Sequence, residues 1–201
     1  MTILSVIKTR DEWAHCAHFL WARLCPFFVI MENNMKKSRF ITQGALLAAL
    51  YVVLTHLQNF LIPDSASFAI QFRASEALCV LALFTPAAIP GLTLGCLLFN
   101  ISFAGALPLD FLVGSLATLL ATAGMYTLRR ITVKGYPLLS MLLPAVSNAL
   151  LVGWELTVYI GGGFWLNALY VAIGELAVLF TLGTALYYAL RTRNLDKRLF
   201  G

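Results

Sequence analysis

Residues 74–103 read ASEALCVLALFTPAAIPGLTLGCLLFNISF. The stretch is apolar along most of its length, yet its middle holds Thr85-Pro86-Ala87-Ala88-Ile89-Pro90-Gly91. Two prolines and a glycine so close together break a helix or turn it. The stretch is therefore one kinked membrane span or two spans, and that choice sets the topology of the chain. Four other apolar stretches stand at 40–62, 108–128, 137–159 and 164–190. Basic residues gather at Lys36/Lys37/Arg39, at Arg129/Arg130/Lys134 and at Arg191/Arg193/Lys197/Arg198. The positive-inside rule assigns all three clusters to the cytoplasm. An even number of crossings must then separate the first two, which makes 74–103 two spans. The expected fold is all-α: a six-helix transmembrane bundle with both termini inside. The outer loops 63–72, 104–107 and 160–163 carry no Lys or Arg, and Arg73 stands at the edge of the first.

Composition agrees. The chain is 60% hydrophobic and 11% charged, with a mean hydropathy of +0.84. A soluble domain carries about 25% charged residues. A soluble protein this apolar would lack the polar surface to stay dissolved, whereas lipid accepts it. A multi-pass protein of the bacterial plasma membrane is expected. The net charge of +5 does not indicate nucleic acid, because the basic residues flank apolar segments instead of forming a patch. Cys16, Cys25, Cys79 and Cys96 form no CxxC pair. Cys79 and Cys96 lie in apolar runs and read as small hydrophobes. Cys16 stands between His15 and His18 without further ligands nearby, so no metal or cofactor is expected. There is no GxxxxGK[ST], HExxH or GxSxG motif, which argues against an enzyme and against an ATP site of its own.

Residues 1–34 read differently. The apolar run at 19–31 is short and is interrupted by Arg23 and Pro26, so it should not span. Asp11 and Glu12 spoil the basic start of a signal peptide. Met35-Lys36-Lys37-Ser38-Arg39, just before a long apolar segment, resembles the beginning of many membrane proteins. Residues 1–34 are expected to be a non-native or peripheral extension, with an interfacial helix as the alternative. Residues 35–201 are expected to form the six-span membrane domain.

The helix after Arg73 is short: residues 74–84 cover about 16 Å as an α-helix, against a hydrocarbon core of about 30 Å. The preceding Ser67-Phe68-Ala69-Ile70-Gln71-Phe72 mixes apolar with polar residues and reads as a loop dipping into the outer side. Irregular backbone at such depth survives only in protein or along a cavity, and broken helices there form binding sites.

The charged residues within the spans and their edges are Arg73, Glu76, Asp110, Glu155 and Glu175. Each costs about 2.5–3.5 kcal/mol at a helix centre. Four acids against one base leave an excess of three negative charges, which suits a cationic ligand or a proton path. Plainer readings exist. Arg73 and Glu76 could pair at i,i+3, Asp110 could favour a helix start after Pro108, and Glu155 could face outer water. Glu175 is hardest to explain this way, because it lies deep inside its span. Asn148 shares a face with Glu155, Asn167 lies two turns before Glu175, and Asn100 completes the polar set. Trp154, Tyr159, Phe164, Trp165 and Tyr170 form either an interfacial aromatic belt or a stacking wall for a flat ring. Small residues four apart, Ala45/Ala49 and Gly91/Gly95, allow close helix approach.

Several stretches together resemble one family: ALLAALYVVL (45–54), IQFRASEAL (70–78), LFTPAAIPGL (83–92), LVGSLATLL (112–120) and FWLNALYVAIGE (164–175). From about Met35 to the C-terminus the chain is similar to the QueT family. These are substrate-binding S-components of energy-coupling factor (ECF) transporters assigned to queuosine precursors. The resemblance implies six helices, an outward-facing pocket, and docking onto a transmembrane coupling protein with two ATPase subunits. It matches Ala45 and Ala49 to the small-residue motif that meets the coupling protein. The implied ligand is 7-aminomethyl-7-deazaguanine or a related deazapurine. Glu155 and Glu175 are then expected to take its guanine edge and its cationic amine, in either order. Gln71 and Arg73 would close over the pocket, and Trp154 or Trp165 would stack on the ring. Glu76, Asn100, Asp110, Asn148 and Asn167 complete the expected substrate-binding set. The alternative is a proton-coupled secondary transporter of a small cationic solute, with Glu175 as carrier.

Overall fold

The computed structural model describes residues 37–62, 72–103 and 109–193. The expectations for residues 1–34, for the dipping loop and for Gln71 fall outside them. Residues Lys36–Gly201 form one compact unit. Its described part is helical: α1 (Lys37–Leu61), a 3-10 helix (Ala74–Leu83), α2 (Ala88–Ser102), α3 (Asp110–Leu128), α4 (Leu138–Tyr159), α5 (Phe164–Val178) and α6 (Thr184–Thr192). A π turn at Leu179–Gly183 joins α5 to α6, so Phe164–Thr192 runs as one long helix. That makes six helical segments, as the basic clusters require.

The break in 74–103 falls at residues 84–87, earlier than the two prolines suggest. Pro90 and Gly91 lie inside the first turn of α2. A proline costs little there, because the first N–H groups of a helix have no intrahelical acceptor. The segment before the break is a 3-10 helix instead of an α-helix. At about 2.0 Å per residue its ten residues reach about 20 Å, further than an α-helix would.

This 3-10 helix is the axis of the bundle. It packs against every other helix of the unit, and Ser75 to Leu83 are all buried. A helix apolar around its circumference demands that position. Four helices, α1, α3, α4 and the combined α5–α6, are long and apolar enough to cross a membrane. Consecutive segments run up and down. The ends holding Lys37, Arg129 and Arg191 share one side, hereafter the basic end; the start of the 3-10 helix lies at the other. Packing agrees at both ends. Near the basic end Tyr136 meets Thr184 at 2.7 Å, packs edge to face on Tyr187 and stacks with Tyr188. At the opposite end His56 of α1 meets Ser102 of α2 at 3.0 Å.

Glycines set the tightest crossings. A Cβ on Gly91 would stand 2.6 Å from the Gly44 carbonyl oxygen, and one on Gly95 would stand 2.8 Å from the Tyr51 Cβ. α1 and α2 therefore touch backbone to backbone. Near the opposite end, Gly153 of α4 packs directly on Ala168 of α5.

The polarity of the unit is inside out. Ile41, Leu46, Phe60, Leu98, Ile101 and Leu166 are exposed. Arg73, Glu76, Asp110, Glu155 and Glu175 are buried. Water would penalise both choices, and lipid explains both.

Candidate functional site: a buried cluster of acids around one arginine

The 3-10 helix organises the site. In that geometry residues three apart lie over one another. Arg73, Glu76 and Cys79 therefore form a single polar stripe on an otherwise apolar rod. The Cys79 thiol donates to Glu76 Oε2 at 3.2 Å. Tyr51, fully buried on α1, donates its hydroxyl to Glu76 Oε1 at 2.6 Å. Both oxygens of Glu76 are thus occupied.

α1 fixes the start of the stripe as well. The Gln58 side chain donates to the Phe72 carbonyl and accepts the Ala74 N–H, the latter at 2.6 Å. It clamps the backbone on both sides of Arg73. One turn earlier, Thr55 bonds Ser75 at 2.8 Å. Tyr51, Thr55 and Gln58 follow i, i+4, i+7 spacing and form one polar face on α1. That spacing is the signal that the sequence carries for these three residues.

Arg73 reaches towards α2 and α3. A Cβ on Gly114 would lie 2.9 Å from Asn100 Nδ2 and 3.7 Å from the Arg73 guanidinium, so Gly114 makes the room they occupy. Asn100 donates to the Asp110 carbonyl at 2.7 Å. Its own carbonyl, Oδ1, is buried without a hydrogen-bond partner among the described residues.

The two remaining acids come from α4 and α5. Asn148 of α4 donates to Glu175 Oε1 at 2.9 Å, leaving Glu175 Oε2 without a partner. Glu155 stands two turns further along α4, on the same face as Asn148. It is fully buried; no N–H or hydroxyl donor among the described residues reaches its oxygens, and the Asp110 carboxyl is its hydrogen-bond neighbour. The charged neighbours of Glu155 include Asp110 and Arg73. Those of Glu175 include Glu76 and Arg73. Arg73 is thus common to two pairs of acids.

The cluster has depth. Asp110 opens α3, while Glu155 lies four residues before the end of α4. Glu175 is eleven residues into α5, about 16 Å from that helix's start at 1.5 Å per residue. The polar cluster therefore extends inward from the end opposite the basic clusters. Taking charges out of water costs several kcal/mol per ion unless partners repay it. Three carboxylate oxygens and one amide oxygen, buried and reached by no N–H or hydroxyl donor among the described residues, are the arrangement expected where a ligand supplies the missing donors.

Not every expected residue joins the cluster. Asn167 donates to Thr157 Oγ1 at 3.1 Å and to the Gly161 carbonyl at 3.0 Å. It ties down the turn between α4 and α5, whose Gly161 and Gly162 both have positive φ. Trp154 and Trp165 are 50% and 79% exposed and face away from the acids. With exposed Tyr159 they lie on the surface near one end of the bundle, as aromatic belts do in membrane proteins. Ala45 and Ala49 are exposed on α1, whereas Gly44 and Ala48 turn inward against α2. Among the described residues no group of acids, histidines and cysteines could hold a metal ion.

A family profile described as QueT transporter matches residues 41–192, which is most of the chain and all of the cluster. No curated protein and no solved structure gives a match.

Proposed function

Because the chain belongs to the QueT transporter family, we propose that it is the substrate-binding S-component of an ATP-driven ECF importer. Its cargo is a queuosine precursor, 7-aminomethyl-7-deazaguanine or a related deazapurine, captured from outside the cell. The observation that carries this reading is the set of buried oxygens on Glu155 and Glu175 that lack an N–H or hydroxyl donor, inside a cluster with three excess acids. The ligand joins a cationic amine to a guanine edge rich in N–H donors. A carboxylate accepts either strongly, and such charge-assisted bonds are roughly twice as strong as neutral ones.

The partners are a transmembrane coupling protein and two ATPase subunits. The chain has no phosphate-binding loop of its own, so ATP must act through separate subunits. Exposed Ala45 and Ala49 offer the coupling protein a surface that another helix can approach closely. The basic end faces the cytoplasm by the positive-inside rule, which sets the acidic cluster towards the outer half of the bundle.

Reconstitution tests this reading. Liposomes holding the chain alone should bind labelled 7-aminomethyl-7-deazaguanine without accumulating it. Accumulation should appear only with the coupling protein, both ATPases and ATP. Accumulation by the chain alone, driven by a pH gradient, would overturn the S-component reading in favour of a proton-coupled carrier.

A further inference from the structure

We infer that the Asp110 and Glu155 carboxyls form a proton-binding site: one proton held between them joins the start of α3 to the end of α4. The site goes beyond the function proposed above and does not depend on which ligand the chain carries.

The two acids reach one place from opposite helix ends. α3 and α4 pack closely against each other. Asp110 is the first residue of α3, and Glu155 lies four residues before the end of α4. Their carboxyls stand in hydrogen-bond contact. Both residues are buried, so neither carboxyl has bulk water to turn to. Asn100 steadies the arrangement. Its amide donates to the Asp110 carbonyl at 2.7 Å, in room that Gly114 leaves.

An ionised carboxylate only accepts hydrogen bonds, so two of them cannot bond each other. A bond between two carboxyls requires one of them to carry its proton as an O–H donor. Among the described residues no N–H or hydroxyl reaches the Glu155 oxygens, so no other donor replaces that proton there. Like charges this close are costly away from water, and two carboxyls sharing a site resolve the conflict by keeping one proton. A shared proton uses one oxygen of each acid, and the remaining oxygens still accept bonds.

The surroundings do not supply enough positive charge to make the proton unnecessary. The 3-10 helix brings Arg73, a charged neighbour of both Glu155 and Asp110. Glu76 of the same helix, Tyr51 of α1 and Cys96 of α2 also stand near Arg73. α5 brings Glu175, whose charged neighbours include Glu76 and Arg73. One arginine therefore serves four acids. Four acids less one base leave three excess negative charges, and one bound proton leaves two.

The proton makes the α3–α4 link sensitive to pH. At neutral pH the unfolded chain exposes both carboxyls to water, where both ionise. The folded chain holds one proton more, so its stability falls as pH rises. Asp110→Asn or Glu155→Gln puts an amide donor in place of the proton and removes that dependence.

Infrared spectroscopy of the purified chain tests the site by the carbonyl stretch of protonated carboxyls at neutral pH. The proteins compared are the wild type, Asp110→Asn, Glu155→Gln and the double variant. Each single variant is expected to lose the intensity of one protonated carboxyl, and the double variant no more than either. The unfolding temperature in detergent should fall from mildly acidic to mildly alkaline pH in the wild type, and fall less in each single variant. Loss of intensity in only one single variant, or in neither, would overturn the sharing. A loss about twice as large in the double variant would mean two protons and overturn it as well. Should these variants not fold, the wild type and Glu175→Gln decide. A protonated-carboxyl band present in both supports the site, and its absence from either overturns it.

Discussion

Glu76, Glu155 and Glu175 are one side chain in three states of partnership. Glu76 has both oxygens bonded to donors, Glu175 one, and Glu155 meets another carboxyl, that of Asp110. No sequence pattern contains that difference in partnership. The sequence does reveal that these acids are out of place in lipid, because a charge deep in an apolar run is visible in one dimension. Their partners are harder to read, since Tyr51 and Glu76 meet across 25 positions. Tyr51→Phe tests the structural role of Glu76. Removing the hydroxyl strips a buried carboxylate of a donor and should cost about 1–3 kcal/mol. Thermal unfolding in detergent should shift down accordingly, and an unchanged midpoint would mean that the bond contributes nothing. Asn167 and the two tryptophans show the opposite limit of reading by residue type. Residue type alone admitted a binding role, but the structure gives Asn167 to a turn and the tryptophans to the surface.

At the scale of elements, the segment counted from charge is the one that organises the site. Its existence was legible from the prolines and the positive-inside rule, but its geometry was not. An apolar ten-residue helix reads as α by default, and long 3-10 runs are uncommon. The 3-10 twist nonetheless follows from two needs: reaching further across the bundle, and stacking Arg73, Glu76 and Cys79 on one side. The glycines were legible as a spacing and not as a destination. Gly91 and Gly95 are used inside the bundle against α1. A Cβ at Gly95 would press on both Tyr51 and the Ala48 carbonyl, at 2.8 and 2.9 Å. Gly95→Val should therefore destabilise by about 1–3 kcal/mol through overpacking. It should also weaken ligand binding by moving the tyrosine that holds Glu76. Leu94→Val, on the exposed face of the same helix, should change the unfolding midpoint little. Equal effects from the two variants would contradict this account of the α1–α2 crossing.

At the scale of the whole molecule, the described part of the Lys36–Gly201 unit is an apolar shell around a polar cluster, with aromatic packing near its basic end. The shell needs only apolar residues, which explains why composition alone identified the class. The cluster needs specific partners in three dimensions, so its members come together only in the packed helices. Ala45 and Ala49 belong to this scale, because a small-residue surface facing outward acquires meaning only from another chain. Ala45→Trp combined with Ala49→Trp should abolish uptake with the coupling module while leaving the affinity of the isolated chain for ligand unchanged. Retained uptake would exclude this face as the docking surface. The central claim, that the buried acids form the substrate site, is tested most directly by calorimetric titration of 7-aminomethyl-7-deazaguanine into the purified chain and into Glu175→Gln. The account predicts saturable binding of one ligand per wild-type chain, weakened about tenfold or more by the substitution. Equal affinity in both proteins, or no binding by a folded wild-type chain, would contradict it.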